Sequence, residues 1–154
     1  MTGDVGTSDD IALCAQTVRE GDPDRFLSAM TASGAARDAL MVLYAFNVEV
    51  SRAPWVTAEP MIAEMRLQWW LDAVEEIYAG GAVRRHQVVT PLSELVRRAA
   101  LPREWLDGLI LARRWDIYAQ PHEDEAALLR YLADTGGALM GLAVGACGGS
   151  GTAA

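Results

Sequence analysis

No lysine occurs anywhere in the 154 residues; all 13 basic side chains are arginine. Schiff-base chemistry on a lysine amine is thereby excluded, and so is a P-loop lysine. Cysteine is scarce as well. Cys14 and Cys147 stand far apart and neither belongs to a CxxC pair, so no disulfide framework or thiolate metal site is indicated. Positive charge is in deficit: 21 acidic residues against 13 basic give a formal charge of -8. Such a chain repels phosphate backbones, and no nucleic-acid partner is expected. The N-terminal MTGDVGTSDD has neither the cationic start nor the apolar stretch of a secretion signal. The longest uncharged apolar stretch, residues 136–149, is short and glycine-rich for a transmembrane segment. A cytoplasmic protein is expected, with peripheral membrane contact left open.

Hydrophobic residues make up 51% and charged residues 22%, enough for one domain with a core of its own. Residues 1–8 and the Gly/Ser-rich 148–154 read as flexible ends, leaving a single domain over 9–147. Asp9 or Asp10 is placed to cap a first helix that Gly21 and Pro23 end. The run Ala39-Leu-Met-Val-Leu-Tyr-Ala-Phe46 has no glycine or proline and one β-branched residue, which predicts a buried central helix ending at Pro54. Pro60 and Gly80 bracket a second long helix. Further helices follow Pro91 and Pro102, and Asp124 opens a last one running toward Val144. No two-residue alternation of useful length appears, so the fold class is all-α, with six or seven helices.

Candidate chemistry is sparse. Asp72 and Glu76, with Glu75 beside them, have the i,i+4 spacing that can hold Mg²⁺ through oxygen, but a solvated helix face explains them better. His86 and His122 lie in turn-like polar stretches without partners at ligand spacing, and are expected on the surface. No GxSxG nucleophile turn is present. Gly137, Gly141 and Gly145 recur every fourth residue, a row that either packs tightly against a helix or shapes an apolar cavity. Adjacent Trp69 and Trp70 point about 100° apart on a helix, so one is expected in the core and the other on a second surface.

Several words of the sequence carry a resemblance. Arg37-x-x-Leu40-x-x-Leu43-Tyr-Ala-Phe-Asn47-x-Glu49 is followed by Met65-Arg-Leu-Gln-Trp-Trp70-x-Asp72-Ala73, then by Ile77-Tyr78-x-Gly80. Leu101-Pro-Arg-Glu104, Asp116-x-Tyr118 and Tyr131-Leu132-x-x-Thr135-Gly-Gly137 continue in the same order. Together they resemble the squalene/phytoene synthase family from about Asp24 to Gly148. The resemblance implies the N-terminal part of an isoprenoid-synthase-type helical bundle around an apolar cavity. Active members join two prenyl diphosphates head to head, with two Asp-rich motifs holding Mg²⁺ against the leaving diphosphate. The candidate pocket then runs along Tyr44, Asn47, Val48, Ser51 and Arg52, with Gly137 and Gly141; no catalytic residue is assigned.

The first Asp-rich motif, Arg-x-x-Asp-Asp-x-x-x-Asp, should follow the Leu-Tyr-Ala-Phe words directly. Here its arginine position holds Val48, and its paired aspartates are Ser51 and Arg52. A guanidinium at a ligand position repels a divalent cation. The family's serine-rich phosphate contact reads Asp22-Pro23-Asp24-Arg25 instead, and the residues present stop ahead of the place for the second motif. The Leu43-Tyr-Ala-Phe-Asn-Val-Glu49 and Arg66-Leu-Gln-Trp-Trp70 words are similar to a non-catalytic branch of the family, the one containing a mitochondrial assembly factor for respiratory complex I, whose members keep the fold and lose the Asp motifs. A catalytically silent protein is expected, without cofactor, binding an isoprenoid-like lipid or a protein partner, or associating with itself. The alternative is an active prenyltransferase binding prenyl diphosphate, for which Mg²⁺ at Asp72, Glu75 and Glu76 is the remaining metal candidate.

Overall fold

The computed structural model describes residues 5–149, with side chains from Ser8 onward. Among them are eight α-helices and no strand: α1 (Val5–Gly21), α2 (Pro23–Met30), α3 (Gly34–Arg52), α4 (Pro60–Ala79), α5 (Val89–Ala99), α6 (Arg103–Tyr118), α7 (Glu125–Leu132) and α8 (Ala138–Ala146). None is long and apolar enough to cross a membrane.

Proline and glycine set the ends of α4 as the sequence predicts. Pro60 occupies its first turn, where a missing N–H costs nothing, and Gly80 closes it at φ 73°, a conformation open to glycine without strain. Helix α3 is the axis of the fold. Ten of its residues are buried, and it touches α1, α2, α5, α6 and α8, while α4 packs along α6. Leu43 and Phe46 of α3, Leu67 of α4, Leu92 of α5, Leu106 of α6 and Leu142 of α8 are completely buried in one core. Cys14 belongs to it too: its Sγ faces the Gln87 carbonyl at 3.5 Å, and burial pushes the thiol up to about 12.

Two expectations about helix ends are corrected. Helix α1 begins at Val5, ahead of the anticipated cap. Asp10 is no cap but a buried side chain whose Oδ2 accepts from Arg85 Nη1 at 2.5 Å, tying α1 to the segment before α5. The expected flexible ends at 1–8 and 148–154 fall largely outside the described residues. The anticipated last helix is also broken in register. A π turn spans Ala133–Gly137, where the Ala138 amide reaches back to the Ala133 carbonyl. One residue is thereby inserted between α7 and α8, rotating every following side chain by about 100°.

Candidate functional site

The C-terminal end of α3, the 53–59 loop and the first half of α4 enclose a cavity of about 510 Å³. Its outline follows from local sequence. After Arg52 the chain turns, and the amides of Trp55 and Val56 close on the Arg52 carbonyl at 2.8 and 3.2 Å. Pro60 then restarts a helix, and residues three and four apart on α4 form one wall: Ile62, Met65, Arg66, Trp69 and Trp70. Glu49 and Arg52 come from α3, and His86 from the connection before α5.

Trp70 is 5% exposed and meets Phe46 edge-on at 5.5 Å, while Trp69 is half-buried. Trp70 thus sits in the core with an edge on the cavity wall, while Trp69 turns more fully toward the cavity, consistent with their 100° offset. Their ring centres are 4.9 Å apart, and the His86 imidazole lies 5.1 Å from Trp69 and 5.5 Å from Trp70. The Arg84 guanidinium lies over Trp69 at 4.7 Å, a cation–π contact.

His86 is therefore not the surface residue that the sequence suggests. Its Nδ1 accepts from the Val88 and Val89 amides at 3.1 and 3.4 Å, satisfying donors at the start of α5. That role requires a deprotonated Nδ1, so the neutral ring carries its hydrogen on Nε2. Burial pushes the imidazole below its ordinary value, against the opposing influence of Glu49 and Asp10.

The residues at the first motif do not fit Mg²⁺. Ser51 spends its hydroxyl on the Val48 carbonyl at 3.1 Å, Arg52 brings a positive charge, and Glu49 is the one carboxylate on the cavity wall. No group of three or more metal-ligating side chains converges among the described residues. The Asp72, Glu75 and Glu76 alternative fares no better. Asp72 accepts from Gln68 Nε2 at 2.8 Å, and Glu76 is gripped by Arg84 at 2.6 and 3.0 Å. These hydrogen bonds from Arg84 hold the Glu76 carboxyl below its ordinary range.

Of the candidate pocket residues, Arg52 lines the cavity. The others are dispersed. Tyr44 lies beneath the Arg25 guanidinium at 5.9 Å, and Asn47 is buried in α3. Val48 packs so closely on Gly21 that a Cβ there would stand 2.5 Å from its Cγ1. Gly141 seats the Trp105 ring, where an added Cβ would stand 2.5 Å from Cζ3. Gly137 faces only the preceding turn of its own helix. Gly141 alone of the row packs against α6, Gly145 meets Leu101 ahead of it, and none of the three lines this cavity. Met65 and Arg66 are wall residues that sequence reasoning left out, although the Met65-Arg-Leu-Gln-Trp-Trp70 words contained both; of the two indoles it expected one in the core and the other on a second surface.

Two other places were candidates for chemistry. A recess of about 590 Å³ is lined by residues of α1, α3 and α5, but Asp38 and Glu94 balance Arg97 and Arg98 there and it has no aromatic wall. Between α6 and α7, His122 stacks on Trp115 at 4.1 Å with ring planes 4° apart, so it too is not a free surface side chain. Beside it, Tyr131 donates to Asp116 at 2.7 Å and Arg113 reaches both Asp116 and Tyr131.

The chain is 28% identical over 137 residues to NADH dehydrogenase (ubiquinone) complex I, assembly factor 6 of Bos taurus, covering 88% of this chain and 40% of that protein. The Homo sapiens protein of the same name is 27% identical, covering 82% of this chain and 38% of its own length. A Drosophila melanogaster homolog is 31% identical over 105 residues, covering 65% of this chain and 31% of its own. The chain thus spans about two fifths of the length of the first two relatives. No solved structure matches it. The squalene/phytoene synthase family model matches residues 18–154, and the chain belongs to that family.

Proposed function

We propose that this chain is a non-catalytic member of its family that serves in assembling a respiratory NADH dehydrogenase complex, by binding a protein partner or an isoprenoid-like lipid. The observation that carries the first half of this reading is the cavity at the end of α3. Where the family's chemistry needs paired carboxylates, the sequence has Ser51 and Arg52, and Arg52 stands on the cavity wall. Without that carboxylate pair nothing at this motif neutralises a departing diphosphate through Mg²⁺. The names of the relatives support the second half.

Trp55, Met61 and Met65, 65–75% exposed beside the cavity, suit contact with a partner or a membrane surface. The decisive chemical test is incubation with farnesyl or geranylgeranyl diphosphate and Mg²⁺. No coupled hydrocarbon is expected, and its formation overturns the silent reading in favour of a prenyltransferase. The biological test is disruption of the gene in its source organism, followed by native-gel measurement of the assembled NADH dehydrogenase. Loss of the assembled complex is expected, whereas an unchanged level counts against an assembly role.

A further inference from the structure

We infer that the α3–α4 cavity binds a single-chain amphiphile with an anionic head group directly, through the Arg52 and Arg66 guanidinium groups and without a divalent cation. This rests on the silent reading above and gives that site its ligand class. The cavity has two kinds of wall. Ile62, Met65, Trp69 and Trp70 offer apolar surface and aromatic faces, which suit a hydrocarbon chain. Its volume of about 510 Å³ falls within the range of small-molecule sites, roughly 300–1,000 Å³.

The charges distinguish it from an ordinary apolar groove. Two guanidinium groups line it against one carboxylate. That carboxylate, Glu49, stands 3.8 Å from Arg52, and Arg66 makes no ion pair among the described residues. Elsewhere Arg25, Arg84, Arg85, Arg103, Arg113 and Arg114 each lie within 3.2 Å of a carboxylate. Arg52 and Arg66 therefore retain hydrogen-bonding capacity toward an anion that those six have directed at carboxylates of the chain. A guanidinium fork matches phosphate or carboxylate oxygens in two parallel hydrogen bonds, which a metal ion is otherwise recruited to replace. His86, with Nδ1 committed to the α5 amides, keeps an Nε2–H donor for the same ligand. Arg52 thus turns a lost metal position into an anion position.

The test uses the full chain and the quenching of tryptophan fluorescence, since Trp69 and Trp70 form the wall. Farnesyl monophosphate, dodecanoate and uncharged farnesol are titrated separately, each with EDTA and with Mg²⁺. At least one anionic probe should bind with equal affinity under both conditions, and farnesol at least about tenfold more weakly. Binding of the phosphate alone identifies a phosphoryl head; binding of both anions identifies any anionic head, and either supports the inference. R52Q and R66Q should each weaken binding about tenfold while leaving circular dichroism unchanged. A requirement for Mg²⁺, farnesol binding as well as the anions, no binding at all, or indifference to both substitutions overturns it. Absent binding without turnover defeats this inference alone, whereas turnover of a diphosphate defeats the silent reading beneath it.

Discussion

Two of the places where arginine stands beside aromatic rings, the α6–α7 cluster and the α3–α4 cavity, are chemically opposite. Between α6 and α7, Arg113, Asp116 and Tyr131 are bonded to one another, and His122 lies flat on Trp115. The side chains of Arg113 and Asp116 are 18% and 8% exposed. At the α3–α4 cavity, Arg52 is loosely held and Arg66 makes no ion pair among the described residues, beside indoles that form a wall. The first arrangement has spent most of its bonding capacity on itself, with the buried Arg113 Nε left without a partner, and acts as a clamp. The second has bonding capacity to offer. Residue type does not separate a structural cluster from a binding site; what separates them is whether the partners are already in the chain.

The sharpest way to break this comparison is to remove one member of the clamp. Asp116→Ala leaves Arg113 largely buried without its carboxylate and Tyr131 without its acceptor. A loss of about 3 kcal/mol is expected in urea unfolding, because an orphaned buried charge costs more than the pair contributed. A loss below about 1 kcal/mol shows that the cluster is not a clamp, and the contrast with the cavity fails.

His86 stands between the two types, since it is both a cavity residue and a cap for α5. His86→Ala should cost about 1 kcal/mol, as loss of a helix-start acceptor does. Its pH dependence has a definite sign. The folded imidazole is held below its ordinary value of 6.5 by burial, so below that pH the unfolded chain binds a proton that the native chain resists. The contribution is therefore present above about 6.5 and lost as pH falls beneath it. The urea midpoint of the native chain should drop between pH 7 and about 5.5, above the range of most carboxylates, and His86→Ala should flatten that drop. An equal slope in both proteins assigns the pH dependence to some other group.

How much of this was legible in the residues depends on the distance over which each feature is specified. Helix α4 was legible because Pro60 and Gly80 act on their own backbone. Helix α3 was legible because an unbroken apolar run can only be buried. Arg52 stood out because the Leu-Tyr-Ala-Phe-Asn words fix its register against the family's metal motif. His86 was missed because its ring partners, Trp69 and Trp70, sit on another helix. Asp10 was misread because its partner Arg85 is 75 residues away. The π turn at Ala133–Gly137 escaped because helical periodicity constrains faces only where the repeat is uninterrupted.

The smallest expected effect on stability belongs to the cavity arginines, and it tests the comparison most closely. Arg52 is 58% exposed in its side chain and pairs with Glu49 only at 3.8 Å, a geometry worth little in water. Arg66 lies exposed on α4. Arg52→Ala and Arg66→Ala should each shift unfolding by less than about 0.5 kcal/mol, several times less than Asp116→Ala. Arginine stems also cover apolar surface, so truncation removes some packing along with charge. Arg66→Leu, which keeps an apolar stem, separates the two contributions: it should leave stability at the native level. A loss above about 1 kcal/mol on replacing either arginine with alanine means that the cavity, too, is held together by its cations.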